Sequence, residues 1–166
     1  MKLKKPYFIV YIIIFVAIFF VDRVLKNIVT ANMQIGESIP SADAFFRIHF
    51  ITNDGVAFSL LQGNPEALIV LQSLFFVCIL IAIVTIYRKY YHPALMVALT
   101  FIIAGGAGNL VDRILYQYVI DFISVGNFPV WNFADMSIVG GCILLAIYIL
   151  FIQGNEKSRG GVADEQ

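Results

Sequence analysis

The stretch PALMVALTFIIAGGAGNLVDRIL, residues 93–115, decides the fold of this chain. It is long enough for a helix that crosses the hydrocarbon core of a bilayer, which takes about 20 apolar residues at ~1.5 Å rise each. Its small residues Ala104, Gly105 and Gly108 let another helix approach closely, as membrane helix interfaces commonly require. The stretch therefore predicts a membrane helix packed against neighbours, with an acid, Asp112, near its end.

The rest of the chain has the composition of a multi-pass membrane protein. Of its 166 residues, 60% are hydrophobic and 13% are charged, and the mean hydropathy is +0.87, well outside the usual composition of soluble domains. Further stretches that can span a bilayer are residues 7–29, 67–87 and 132–152. We therefore predict an all-α membrane fold with four transmembrane helices in a single membrane-embedded domain, residues 1–153, followed by a polar tail, residues 154–166. The formal net charge of zero gives no electrostatic reason to expect a nucleic-acid partner.

Lysine and arginine residues predict how the helices are oriented, because both are enriched in cytoplasmic loops. The four-helix arrangement places seven of the eleven on one side, namely Lys2, Lys4, Lys5, Arg88, Lys89, Lys157 and Arg159. The other four are Arg23, Lys26, Arg47 and Arg113. We therefore expect both termini and the tail in the cytoplasm, and the segments 30–66 and 116–130 on the extracytoplasmic face.

The segment between the first two helices has a pattern typical of β-structure. Residues 45–52, FFRIHFIT, are rich in aromatic and β-branched side chains, which favour strands. Gly36, Pro40 and the run 53–55, Asn-Asp-Gly, punctuate the segment as turns do. We therefore predict a small antiparallel extracytoplasmic sheet within about residues 30–66.

Two acids lie at the ends of neighbouring apolar stretches, where a charge is rarely retained without a function. Gly105, Asn109 and Asp112 are spaced i, i+4, i+7, so they share one helix face. Asn132 is a good N-cap, which puts Asp135 at the third helical position beside free backbone N–H groups. Capping alone would also explain Asp135. We expect instead that Asp112 and Asp135 meet and activate a water, with Asp135 ionised and Asp112 holding the shared proton, because two close carboxylates cannot both be charged.

Other polar residues have structural as well as functional interpretations. Asp22 and Lys26 form an i, i+4 pair whose default role is to anchor the end of the first helix. Asn53 belongs either to a hairpin turn or to a contact with the backbone of a substrate. Asp121 is expected to pair with Arg113, which projects about 100° away from Asp112 around the helix.

Five motifs in chain order resemble those of bacterial lipoprotein signal peptidase, also called signal peptidase II, an aspartic protease of the cytoplasmic membrane. They are Asp22 with Lys26; Asn53 with Gly55, Ala57 and Phe58; Gly105 to Asn109 with Asp112 and Arg113; Val119 to Phe122; and Asn132 to Asp135. The resemblance spans the whole chain. The third and fifth motifs are similar to the segments that hold the two catalytic aspartates of this family.

The resemblance implies an endopeptidase of the bacterial inner membrane that removes signal peptides from prolipoproteins, cutting on the amino side of a cysteine that carries diacylglyceryl. It implies lipid-modified precursors and membrane lipid as partners, inhibition by the cyclic peptide globomycin, and an active site near the extracytoplasmic face. No metal or cofactor is implied. The catalytic residues would be Asp112 and Asp135. Substrate-binding or site-supporting roles would fall to Asp22, Lys26, Asn53, Gly55, Phe58, Gly108, Asn109, Arg113, Asp121, Asn132 and Ala134.

The chain departs from the family pattern at three places. Leu25 stands where many relatives have Thr or Ser, Trp131 where many have Phe, and Met136 where a small residue is common. These departures leave the two acids untouched. They bear on substrate contacts, for which Trp131, Phe128 and Phe58 are candidate walls.

Three other uses of the outward acids stay open. A divalent cation is one, since carboxylates and Asn oxygens suit it, although no His, Glu or Cys lies near Asp112 or Asp135 in sequence. A proton-coupled transporter is the second, but it needs polar groups across the full thickness and commonly shows inverted repeats, and neither is found here. A non-enzymatic membrane protein that binds lipopeptides is the third, and the sequence separates it poorly from a protease.

Overall fold

The computed structural model describes residues 8–55, 64–89 and 91–153 of the chain. The predicted helices are present: α1 Phe8–Asn32, α2 Pro65–Lys89, α3 Pro93–Tyr116 and α4 Phe133–Ile147, the last of which continues as a π-helical segment, Tyr148–Gln153. All four are long and apolar enough to cross a membrane, with mean hydropathies of 2.0 to 3.0. The prediction of a multi-pass membrane protein is thereby confirmed. The polar tail, residues 154–166, lies outside the described residues.

Local sequence sets the ends of these helices. Asn64 accepts a hydrogen bond from the backbone N–H of Ala67 at 3.2 Å and so caps the start of α2. Pro93 fits the first turn of α3, where its missing N–H is not needed. Gln117 ends α3 in the left-handed conformation, with φ of 65°, and its N–H bonds back to the carbonyl of Arg113.

Helix α3 is the centre of the bundle. About 67% of its membrane span is buried, against 17% for α1, 6% for α2 and 17% for α4. Small residues bring α4 close to it: a Cβ on Gly105 would collide with the backbone carbonyl of Ala134, and one on Gly141 would lie 2.7 Å from the carbonyl of Ala98. This contact places the start of α4 beside the last turns of α3, where the polar residues of both helices are found.

A three-stranded antiparallel sheet lies at the same end of the bundle. Its order is β1 Ser38–Ile39, β2 Phe46–Asn53 and β3 Val119–Val125. The first two strands confirm the sheet predicted between α1 and α2. The third was not predicted: it comes from the segment between α3 and α4 and pairs with β2, for example Ile51 with Asp121. The strand therefore carries Asp121 into the polar end of the bundle.

An apolar cluster attaches the sheet to the first helix. Val29 on α1 packs with Phe50 of β2 and with Ile120 and Phe122 of β3, and all four side chains are buried. Because β3 alternates the direction of its side chains, Asp121 faces away from this cluster. Apolar burial on one face of the strand thus fixes the position of an acid on the other.

Candidate active site

A cluster of two acids and two cations lies between α1 and α3, with all but the partly exposed Arg23 buried; we call Asp22, Arg23, Lys26 and Asp112 the ion cluster. The ammonium of Lys26 lies 3.0 Å from Asp22 and 2.8 Å from Asp112. The guanidinium of Arg23 lies 3.0 Å from Asp22 and 2.6 Å from Asp112. Lys26 and Asp112 are fully buried and Asp22 is 1% exposed, so the charges are stabilised by one another rather than by water.

Asp112 lies among cations, which its sequence context did not predict. Its Oδ2 faces Lys26 and accepts a 3.3 Å hydrogen bond from the backbone N–H of Ile120. Its Oδ1 makes no well-directed hydrogen bond, so its contact with Arg23 is chiefly electrostatic. None of these contacts is with Asp135. The structure thus places Asp112 against two cations of α1 that the sequence pattern did not place beside it, and it shows no direct contact between Asp112 and Asp135.

A cavity of ≈ 710 Å³ opens between α2, α3, α4 and the sheet. Its polar end is formed by Asn53, Gln72, Asn109, Arg113, Asp121 and Asp135. The other walls are mainly apolar and include Leu68, Leu71, Phe75, Val119, Pro129, Val130, Trp131, Ile138 and Val139. Asp112 is not part of the lining. The acids that share this cavity are Asp121 and Asp135, which we call the acid pair.

Asn132 joins the two members of the acid pair. Its Nδ2 donates to Oδ1 of Asp121 at 2.7 Å, and its backbone N–H donates to Oδ2 of Asp135 at 3.2 Å. Its own Oδ1 accepts from the backbone N–H of Asp135 at 2.9 Å, which completes a capping box at the start of α4. The predicted cap is thereby confirmed, and the same residue ties the cap to the second acid.

Two further amides hold the acid pair from other elements. Asn53, at the end of β2, donates to Oδ2 of Asp121 at 2.9 Å. Asn109 on α3 donates to Oδ1 of Asp135 at 2.7 Å and accepts from the ammonium of Lys26 at 3.0 Å. Because Lys26 donates only, it fixes which end of the Asn109 amide faces Asp135. The ion cluster thus orients the acid pair without entering the cavity.

Burial raises the pKa of Asp121 from 3.8 to about 7, and the nearby charge of Asp135 acts in the same direction. The hydrogen bonds from Asn53 and Asn132 oppose this rise by stabilising the carboxylate. Asp135 also accepts two N–H hydrogen bonds, but unlike Asp121 it lies at the N-terminus of a helix, α4, whose dipole acts on it. The two acids therefore have different environments, as a general acid and a general base require.

The remaining predicted site residues take several positions. Gly108 lets Asp22 approach α3, since a Cβ there would lie 2.7 Å from a carboxylate oxygen of Asp22. Ala134 donates its backbone N–H to Asp22 at 3.0 Å. Trp131 lines the cavity, whereas Phe128 is 68% exposed and is not part of the lining. The proposed wall residue Phe58 lies outside the described residues.

The predicted salt bridge between Arg113 and Asp121 is not formed. The guanidinium of Arg113 donates instead to Oε1 of Gln72 at 2.9 Å and to the carbonyl of Gly55 at 2.8 Å. Among the residues that the structure describes, no three His, Cys, Asp or Glu side chains are grouped so as to hold a metal ion. The polar end of the cavity is thus lined by the acid pair, the amides of Asn53, Gln72 and Asn109, and the guanidinium of Arg113.

Comparison with known proteins identifies the family. The profile of signal peptidase (SPase) II, Peptidase A8, matches residues 14–151. A lipoprotein signal peptidase of Dehalococcoides mccartyi is 41% identical over 135 residues, which cover 78% of this chain and 82% of that protein. The chain belongs to the signal peptidase II family. The resemblance stated from the five motifs is thereby confirmed.

Other members of the signal peptidase II family match this chain over almost its full length. The lipoprotein signal peptidase of Staphylococcus aureus is 35% identical over 166 residues, covering 95% of this chain and 98% of that protein. Two solved bacterial membrane enzymes have TM-scores of 0.81 and 0.76 at 33% and 34% identity, and the matches cover 93% and 90% of this chain. The helical bundle with its sheet is therefore a fold shared with solved relatives.

In this member of the signal peptidase II family, two polar residues were not assigned to the site from the sequence. Arg23 belongs to the ion cluster, and Gln72 contacts Arg113 from α2. Each interrupts a predicted apolar span, which is a signal in itself, because polar groups inside a membrane are usually paired or functional. The sequence does not show which partner they reach, since Asp112 and Arg113 are 89 and 41 positions away.

Proposed function

We propose that this chain is an aspartic endopeptidase that removes signal peptides from diacylglyceryl-modified prolipoproteins, with Asp121 and Asp135 as the acids that activate water. The observation that carries the proposal is that these two acids share one cavity and one bridging residue, Asn132. Family membership favours a peptidase over the transporter and the lipopeptide-binding protein. The catalytic acid expected at position 112 moves to Asp121, and Asp135 keeps its expected role as the base.

The proposed reaction begins with a water held between the acid pair. Asp135, as carboxylate, takes a proton from the water while the oxygen attacks the carbonyl carbon of the scissile peptide bond. Asp121, as carboxylic acid, donates a hydrogen bond and then its proton to the carbonyl oxygen. Collapse of the tetrahedral intermediate returns that proton to Asp121 and transfers the proton of Asp135 to the departing amine. Both acids then regain their starting protonation states.

The walls of the cavity suit a substrate that remains attached to the membrane. Leu71, Phe75 and Val139 line it and are each more than half exposed, so the cavity borders the region occupied by lipid. Each buried CH₂ of a diacylglyceryl chain is worth about 0.8 kcal/mol, so such a substrate does not leave the bilayer cheaply. We propose that its chains stay among these residues while the peptide reaches the acid pair, and that cleavage falls on the amino side of the lipidated cysteine.

The orientation of the chain is part of the proposal. The distribution of Lys and Arg favours both termini in the cytoplasm of a bacterium, with the chain in the inner membrane. The sheet and the acid pair are at the opposite end of α1 from Phe8, so they would face the extracytoplasmic side. A globomycin-type cyclic peptide would then compete with substrate for the same cavity.

The test compares purified wild type with Asp135→Asn on a diacylglyceryl-modified precursor and on the same precursor without lipid. We expect the wild type to release the signal peptide from the modified precursor only, with mass spectrometry locating the cut before the modified cysteine. The variant should lose at least about 100-fold in turnover, the lower range for a general base. Cleavage without lipid preference would contradict the substrate assignment, and substantial turnover by Asp135→Asn would contradict the base assignment.

A further inference from the structure

Gln72 is a half-buried polar residue on the most exposed helix of the bundle. The span of α2 is 6% buried, and α3 is the helix against which it packs. In a membrane, apolar side chains gain little by leaving lipid for protein, so polar contacts contribute strongly to the position of such a helix. A single amide that joins α2 to the polar end of the cavity is therefore expected to affect where the α2 wall lies.

Both ends of the Gln72 amide are bonded to α3. Its Nε2 donates to the backbone carbonyl of Gly106 at 3.2 Å, and its Oε1 accepts from Nη1 of Arg113 at 2.9 Å. Gly106 and Arg113 are seven residues apart, about two helical turns, and therefore lie on one face of α3. The amide thus fixes α2 both along and around the axis of its neighbour.

The same contact fixes Arg113, which is 7% exposed and lines the cavity. Its other terminal nitrogen donates to the carbonyl of Gly55 at 2.8 Å. The guanidinium is therefore held from α2 on one side and from the end of the sheet segment on the other, in the same polar end as Asp121 and Asp135. Removal of either acceptor would leave the planar group free to rotate, because one anchor does not set its plane.

We propose that Gln72 is a positioning residue for substrate: it holds the α2 wall and the Arg113 guanidinium in register with the acid pair. This rests on the proposed function, because the substrate that the wall and the guanidinium would contact is the lipid-modified precursor. Gln72 makes no hydrogen bond to Asp121 or Asp135 in the described structure. Its loss should therefore weaken binding while the chemistry of the acids continues.

The experiment measures KM and kcat of Gln72→Met, which keeps the length of the side chain and removes both hydrogen bonds. We expect KM to rise about three- to tenfold, the effect of losing one hydrogen bond between Arg113 and substrate, with kcat within about twofold of wild type. The pH profile should stay unchanged. Gln72→Glu retains an acceptor for Arg113 and should restore most of the lost affinity. Ser73→Ala, at the neighbouring position outside the cavity lining, is the matched control and should behave as wild type.

Binding is read independently from Trp131, the single tryptophan of the chain, which lines the same cavity. Titration of its fluorescence with a diacylglyceryl-modified peptide should show the same loss of affinity for Gln72→Met. This measurement does not require cleavage, so it tests the proposal even if the wild type proves not to be a peptidase. An unchanged KM and affinity would overturn the proposal, as would a fall in kcat that tracks a lower unfolding midpoint. If Gln72→Met does not accumulate, equal KM values for Gln72→Glu and Gln72→Lys overturn it, because only Glu offers Arg113 an acceptor.

Discussion

The ion cluster and the acid pair are both buried groups of carboxylates at one end of the bundle, yet they differ in their neighbours. In the ion cluster, Asp22 and Asp112 each face the cations of Lys26 and Arg23. In the acid pair, hydrogen bonds come from neutral amides and backbone N–H groups. The acids of the ion cluster are thus tied to cations, whereas the acid pair lines the cavity and is held by neutral donors. The neighbours of a buried acid, more than its burial, thus indicate its role.

The two regions also cooperate. Lys26 belongs to the ion cluster but donates a hydrogen bond to Asn109, which donates in turn to Asp135. Asp22 accepts from the backbone of Ala134, next to Asp135 in the first turn of α4. The ion cluster contains two acids and two cations, so its formal charges cancel. It can therefore hold the first turn of α4 in place without adding a net charge beside the acid pair.

The largest effect is expected from Asp121→Asn. The substitution keeps the shape of the side chain but removes the proton donor, so turnover should fall by at least about 100-fold, as for loss of a general acid. Peptide release from the lipid-modified precursor measures it, with an unfolding scan to verify the fold. Full activity in Asp121→Asn together with an inactive but folded Asp112→Asn would reverse the comparison and return the catalytic role to Asp112.

The same change in the ion cluster should act on stability instead. Asp112→Asn leaves two cations, the fully buried Lys26 and the partly buried Arg23, facing one acid, and breaking a buried pair typically costs about 3 to 5 kcal/mol. We expect a much lower unfolding midpoint, while the fraction that remains folded keeps turnover within about tenfold. Lys26→Met added to Asp112→Asn restores neutrality and should recover part of the stability, which is a non-additive result. Strictly additive losses would show that the four charges do not act as a unit.

Much of the fold follows from local patterns in the sequence. Apolar length predicts the four helices, since spans such as 93–115 are close to the observed Pro93–Tyr116. The spacing of Asn132 and Asp135 predicts the capping box, because a cap involves residues three positions apart. Aromatic and β-branched residues predict β2 for the same local reason.

The other features depend on contacts between residues that are far apart in the sequence, which no local pattern predicts. Strand β3 was missed because its partner β2 lies about 70 residues earlier in the chain. Asp112 shares a helix face with Asn109, and from that spacing both were expected at one site. The structure places Asp112 nearer the end of α3, against Arg23 and Lys26 of α1, so one helix face serves the ion cluster and the acid pair at successive turns.

The raised pKa of Asp121 in the acid pair should make the free energy of unfolding depend on pH. The folded chain holds the proton of Asp121 up to about pH 7, whereas the ordinary pKa is 3.8. Between these values the folded state binds more protons than the unfolded state, so stability falls as pH rises, by at most about 1.4 kcal/mol per pH unit from this group. Unfolding of wild type and Asp121→Asn in detergent, from pH 4 to pH 8, should show a shallower fall in the variant. Equal slopes would contradict the raised pKa.

The smallest effect is expected from Asn53→Ala, which tests how the amides tune the acid pair. The Asn53 amide stabilises the charged form of Asp121, so its removal should raise the pKa of Asp121 further. One hydrogen bond is worth about 0.5 to 1.5 kcal/mol, which corresponds to roughly 0.4 to 1 pH unit. Because Asp121 acts as the acid, the high-pH decline of kcat/KM should move upward by that amount. Asp54→Asn, at the adjacent exposed position, is the control and should leave the profile in place. A decline that moves to lower pH in Asn53→Ala would mean that Asp121 is needed as the carboxylate, and the roles within the acid pair would be exchanged.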